Sequence, residues 1–199
     1  MELKERIIRK AGEMFAMYGI RSVTMDSISE ELGISKRTLY ETFTDKNTLL
    51  TEVLLFHKES QEKLAQEIIE NADNVIEAMV EIMRNSVEIM KSVNPLFFHD
   101  MKKYHIEIHE SLMKKGEVRN YNITRSILEK GIKQGVFQDF LDIEIVNHTI
   151  HSLFNLFADE SKFPLTSNTR EVIWKNTIRP YLKGICTDKG CKLIDQFKL

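Results

Sequence analysis

Cysteine is nearly missing from this 199-residue chain, which holds Cys186 and Cys191 and no others. Two thiols close to one end cannot make a disulfide scaffold, so the fold must rest on a buried core. Three prolines and eight glycines leave long stretches free of helix breakers. Alternating β-branched segments are scarce, which argues against a sheet. No stretch of 18 or more apolar residues occurs, so no membrane-spanning helix is expected. Nor does a signal-peptide core follow the first residues, and a cytoplasmic location is the default expectation. Net charge is small as well. The chain carries −2 overall, and its first fifty residues hold eight Lys or Arg against eight Asp or Glu. Bulk attraction to nucleic acid is thereby excluded, whereas binding through a few well-placed side chains is not.

What is present is helix-period hydrophobicity. With 42% apolar and 29% charged residues the chain has the composition of a globular protein long enough to bury a sizeable core. Apolar residues at steps of three and four predict an all-α fold. The first helix should run from Glu2 to Tyr18, with Leu3, Ile7, Ala11, Met14, Phe15 and Tyr18 on one face and Gly19 at its end. A long helix should start at Thr44-Asp45-Lys46 and continue to Asn71. A Met-rich helix follows from Val75 to Val93 and stops before Pro95. Further helices are expected from Pro95 to Gly116, Val118 to Gly135, Ile143 to Ala158 and Arg170 to Gly184, with Pro164 in a loop and a short tail helix around 192–197.

The most informative stretch is 24–43, TMDSISEELGISKRTLYETF. Thr24 is a good N-cap, and Asp26 suits the positive end of the helix that follows. Ile28 and Leu32 give that helix one apolar stripe, Gly33 permits the sharp turn, and Ile34 plugs the corner. Ser35 can cap a second short helix, whose inner side carries Leu39 and Phe43 and whose outer side is basic and hydroxyl-rich. Helix, glycine turn and second helix make the helix-turn-helix pattern that enters the DNA major groove.

Gly19, Val23-Thr24, Leu32-Gly33-Ile34-Ser35, Thr38-Leu39-Tyr40, Phe43, Lys46 and Leu49-Leu50 together resemble the tetracycline-repressor (TetR) family of bacterial transcription regulators. The detailed likeness covers residues 2 to about 60, and Leu-Tyr-x-x-Phe-x-x-Lys is its most specific part. Ser29, where the family usually has Ala, and Thr44, where Pro or Lys is common, depart from the pattern without disturbing its packing. The resemblance implies a three-helix head, residues 1–47, that binds DNA. It also implies a larger helical domain, residues 48–199, that dimerises and holds a small-molecule pocket. The expected partners are a double-stranded, near-palindromic operator, a second copy of the chain and a partly apolar effector. No cofactor, membrane partner or enzymatic activity is expected. Family members are mostly repressors released from DNA by ligand.

Phosphate contacts are expected from Lys46 at the start of the long helix, from Tyr40 and from Thr24. Lys36 and Arg37 can donate to guanine, and Thr38 and Thr42 can donate, accept or place a methyl against thymine. Glu41 can accept from cytosine N4 or pair with Lys36 or Arg37, and the pairing is the favoured reading. Met79, Met83, Phe97, Phe98, Met101, Tyr104, Phe154 and Trp174 form an adaptable apolar set that fits an ordinary core and also suits the effector cavity the resemblance implies. The helices at 143–158 and 170–184 are the candidates for dimerisation. His105 with His109, and His148 with His151, have the spacing of zinc ligands, but hydrogen-bonded histidines on amphipathic helices explain them better and no metal is assigned. The rival classes are a helix-turn-helix architectural or partner-binding protein without a pocket, and a helical metalloenzyme.

Overall fold

A computed structural model describes residues 2–114, 121–158 and 172–196. Among these residues there is no strand, only an isolated antiparallel bridge between Phe137 and Cys186. The helices are α1 (Leu3–Tyr18), α2 (Met25–Leu32), α3 (Lys36–Thr42), α4 (Lys46–Asn71), α5 (Val75–Ser92), α6 (Pro95–Tyr104), α7 (Ile106–Lys114), α8 (Tyr121–Lys133) and α9 (Ile143–Ala158). A π-helical turn, Trp174–Ile178, then leads into α10 (Arg179–Ile185), and α11 (Asp188–Gln196) follows. The all-α expectation holds.

The chain forms two compact units, one made of residues 1–64 and 83–119, the other of 65–82 and 120–199. These units cut across α4 and α5, each of which gives one part of its length to either unit. A division of labour at 47/48 is therefore a separate, functional proposition, because α4 continues unbroken through that boundary.

In the first unit Ile7, Ile8, Ala11 and Phe15 bury one face of α1, as their spacing requires. They pack with Ile20, Ile28, Leu39, Phe43, Leu49, Leu50 and Val53 in one core. Full burial of side chains such as Phe15 and Phe43 is worth about 1.5–3 kcal/mol each, enough to fix a head of short helices that propensity alone would not hold. Met101 of α6 is buried in the same core, with Phe97 and Ile108 packed against it. The brace expected from α4 is therefore shared with α6 and α7.

The second unit is organised by the corner after α8. Phe137 is buried, Gln138 N–H donates to Ile185 O at 3.0 Å, and Thr187 N–H donates to Val136 O at 2.9 Å. Asn74 caps α5 by accepting from the N–H groups of Ile76 and Glu77 at 3.1 and 3.0 Å. The Lys130 ammonium reaches Ile69 O near the end of α4.

Three sequence expectations need correction. The single helix expected from Pro95 to Gly116 is two, broken at His105, whose extended φ of −129° leaves the helical region. The segment at 170–184 is not a uniform α-helix: Pro180 lacks an N–H and crowds the preceding turn, and the π turn widens it, with Arg179 N–H donating to Trp174 O. The tail helix starts at Asp188 rather than 192. Gly116, Val118, Pro164, Arg170 and residues beyond 196 lie outside the described residues.

Candidate nucleic-acid interface

The helix pair at 24–43 is built from local hydrogen bonds at each end. Thr24 Oγ1 accepts from Ser27 N–H and Ser27 Oγ accepts from Thr24 N–H, both at 3.0 Å, a reciprocal capping box. At the other end of α2, Gly33 adopts φ 64° and ψ 32°, a left-handed geometry that a residue with a Cβ resists. Ile34 N–H then donates to Ser29 O at 3.0 Å, which closes the turn. Ser35 Oγ accepts from Thr38 N–H at 3.0 Å and starts α3. Leu39 is fully buried and Phe43 is 2% exposed, so α3 cannot roll about its axis. Its outward face is thereby fixed as Lys36, Arg37, Tyr40 and Glu41, all exposed.

The cations on that face are held by carboxylates. Lys36 Nζ lies 2.6 Å from Asp26 Oδ2, a hydrogen bond that also raises the lysine pKa. Arg37 Nε lies 2.7 Å from Glu41 Oε1, one helical turn on, the pairing expected for Glu41. Such exposed, solvent-screened pairs add little to stability, so a base edge or phosphate can displace them. Arg37, whose side chain is 87% exposed, reaches furthest into solvent. Thr38 and Thr42 are half-buried and already bonded: Thr38 Oγ1 sits 2.8 Å from Ser35 Oγ, and Thr42 Oγ1 donates to Thr38 O at 3.0 Å. Their methyls and second lone pairs are what they still offer.

Lys46 is not a free surface lysine. Its half-buried ammonium donates to Val23 O at 2.6 Å and ties the start of α4 to the residue before the Thr24 cap. Burial pushes its pKa down, and the Asp100 carboxylate opposes that shift. Asp45 caps α4, accepting from Thr48 N–H at 2.8 Å.

A second set of contacts, which the sequence reading did not single out, anchors α6 to this head. Asp100 is 5% exposed and accepts from Arg21 N–H at 2.7 Å. The Arg21 guanidinium donates to the Tyr104 hydroxyl at 3.0 Å and lies over its ring. Asn94 N–H and Nδ2 donate to Ala16 O and Met17 O at 2.8 and 3.0 Å. The available signal was a carboxylate in an apolar stripe: Phe97, Asp100 and Tyr104 step by three and four.

The apolar effector candidates divide between the units. Met83, Phe97, Phe98, Met101 and Tyr104 belong to the first, where Met101 and Phe97 serve the head core and Tyr104 serves Arg21. Met79, Phe154 and Trp174 belong to the second, Met79 and Trp174 buried and Phe154 half-buried. The histidines separate in the same way. His105 faces Lys46 and Asp100, while His148 and His151 flank the Tyr121 ring at 4.8 and 4.4 Å. Among the described residues no group of three or more His, Cys, Asp or Glu is placed to hold a metal.

Residues 7–53, which span α1 to the start of α4, match the profile of the bacterial regulatory proteins of the tetR family. Over those residues the chain resembles that family, and the rest of it lies outside the match. The chain is also similar to curated transcriptional regulators. The chain is 27% identical over 106 residues to YvaF of Bacillus subtilis (strain 168), an HTH-type transcriptional regulator, a match that covers 53% of this chain and 55% of that one. It is 24% identical over 140 residues to the HTH-type transcriptional repressor KstR2 of Rhodococcus jostii (strain RHA1), over 68% of either chain. Its fold is similar to that of Thermus thermophilus FadR, a TetR-family repressor crystallised with lauroyl-CoA, with a TM-score of 0.66 and 17% identity over 91% of this chain and 94% of that one. The head, α2 and α3 included, is the part that the profile covers.

Proposed function

We propose that this protein is a ligand-responsive transcriptional regulator of the TetR kind, a repressor that binds a near-palindromic operator as a homodimer. Residues 1–47 would read DNA, and residues 48–199 would dimerise and hold the effector. The observation that carries this reading is the fixed outward face of α3: with Leu39 and Phe43 locked in the core, Lys36, Arg37 and Tyr40 stand exposed together. Lys36 and Arg37 are the base-reading donors, helped by Thr38 and Thr42. Tyr40, Thr24 and Lys46 position the head on the phosphates. Lys46 does so while holding Val23, so a phosphate contact there also fixes the entry to α2.

Dimerisation through α9 and the segment leading into α10 is supported by apolar side chains left in solvent, Ile145 on α9 and Val172 just before the π turn. The effector is a small, partly apolar molecule; the lauroyl-CoA held by the fold neighbour FadR supports an apolar component. Among the described residues no helix is long and apolar enough to cross a membrane, which agrees with action on cytoplasmic DNA. Effector binding would change the spacing of the two heads from the separation of about 34–36 Å that successive major grooves demand. Gel-shift titration of the purified protein on its own promoter region, with and without a library of small apolar molecules, tests the reading. Salt-sensitive specific binding that some molecules abolish is expected. Operator binding that no molecule and no substitution at the apolar candidates alters would sink the switching part.

A further inference from the structure

Asn147 is buried in the second unit with half of its amide unused. It is 2% exposed, and its Nδ2 donates to Tyr121 O at 2.9 Å. That bond settles the orientation of the amide, since an oxygen turned toward the Tyr121 carbonyl would repel it. The Oδ1 atom is then the one left over, and it has no hydrogen-bond partner. Buried acceptors are nearly always paired, so this one is open to a donor from outside the chain, a water or a ligand hydroxyl.

The adjoining turns of α8 and α9 carry further polar side chains. Tyr121 and Thr124, three apart on α8, meet Asn147 and His151, four apart on α9. The Tyr121 ring lies 4.4 Å from that of His151, whose Nε2 is 3.0 Å from Thr124 Oγ1. On α9 the half-buried Phe154, seven residues beyond Asn147, extends the same face. Ile127, Leu128, Val146 and Ile150 are buried on the same two helices. The nearby charge is spoken for: Arg125 pairs with Glu129 at 3.2 Å and Glu144 at 3.0 Å. A neutral amide oxygen so deeply buried suits a hydroxyl donor better than an ionic group, whose desolvation it could not offset.

We propose that Asn147 Oδ1 is the polar anchor of an effector subsite, bordered by Tyr121, Thr124 and His151, that takes the hydroxyl of an otherwise apolar, uncharged molecule. This rests on reading the chain as effector-responsive and names the chemistry its effector must present.

The test uses the full chain and two probe pairs matched in shape, 4-ethylphenol with 4-ethyltoluene and 1-octanol with 1-chlorooctane. Affinity is measured by calorimetry, and the Asn147 side-chain amide signals are followed by NMR in the unmodified protein. The hydroxylated member of each pair should bind at least about tenfold more tightly and move the Asn147 amide signals. Asn147→Leu and Asn147→Ala should each reduce that preference to within about twofold. Equal affinity within the pairs, amide signals that no hydroxylated probe moves, or a preference that survives in both variants would overturn the subsite. Parallel gel shifts keep the two readings apart. Hydroxyl-dependent binding at Asn147 that never alters operator affinity contradicts the regulatory reading alone, while operator release without hydroxyl preference contradicts the subsite alone.

Discussion

Removing the Asp100 carboxylate should loosen the head at a point distant in sequence from α2 and α3. In the intact protein its Oδ2 accepts from Arg21 N–H at 2.7 Å in a site 5% exposed, and its charge partly offsets the burial of Lys46. A hydrogen bond to a charged group contributes about 1.5–3 kcal/mol net. Asp100→Ala leaves the Arg21 N–H without its acceptor and the Lys46 ammonium without its counterweight, so a loss of about 2–3 kcal/mol is expected. For a chain of this size each kcal/mol shifts Tm by about 2–4 °C, which places the fall at about 5–10 °C. Asp100→Asn keeps a carbonyl oxygen for Arg21 and should cost only about 1 kcal/mol. Hydrogen exchange of the Arg21 amide reads the same bond locally, and it should quicken strongly in the Ala variant and weakly in the Asn variant. An Asp100→Ala protein within about 0.5 kcal/mol of the parent, with unchanged Arg21 exchange, would refute the claim that this contact anchors α6 to the head.

Other expectations follow from single sites. Gly131→Ala would put a Cβ 2.3 Å from Phe137 Cδ2 and 3.1 Å from Val75 Cγ2. Overpacking of that kind costs about 1–3 kcal/mol and outweighs the gain of at most about 1 kcal/mol in helix propensity; denaturant melts should show a net loss that adding Phe137→Leu largely restores. Burial, then the Lys46 charge, holds the His105 imidazole below its ordinary 6.5 against the pull of Asp100. A depressed folded-state pKa means stability present above pH 6.5 and lost as pH falls through the lower folded value, so urea midpoints should drop from pH 7.5 toward about pH 5 and do so less in His105→Gln. Arg37→Ala should relax preference at one base position, worth about 1–3 kcal/mol, while Lys46→Ala weakens every operator variant alike. A uniform loss from both, measured across an operator library, would contradict that division.

How much of this was legible depended on how local each feature is. The boundaries of α4 and α9 followed from uninterrupted periodicity, and the caps at Thr24 and Ser35 and the turn at Gly33 from residue chemistry confined to a few positions. The break at His105 was not legible, because Phe97, Met101, Tyr104 and Ile108 keep helical spacing across it and no Gly or Pro intervenes. Long-range pairings were hidden for a related reason: nothing adjacent in sequence tells Lys36 to choose Asp26, Lys46 to choose Val23, or Asp100 to choose Arg21. The apolar candidates show the opposite difficulty. Met101 and Phe97 fit core or cavity lining equally by their type; Met101 is buried in the head core and Phe97 packs against it, a placement that residue type alone does not reveal.

Selection of bound fragments from a random DNA library by the full-length protein tests the dimeric operator reading most directly. Enrichment of an inverted repeat is expected, its half-site centres separated by one helical turn of about 10–10.5 base pairs or a multiple of it. Lys36→Ala and Arg37→Ala should then degrade the base preference of each half-site without changing that spacing. Enrichment of isolated half-sites at no fixed spacing, or no enrichment above the input library, would contradict it.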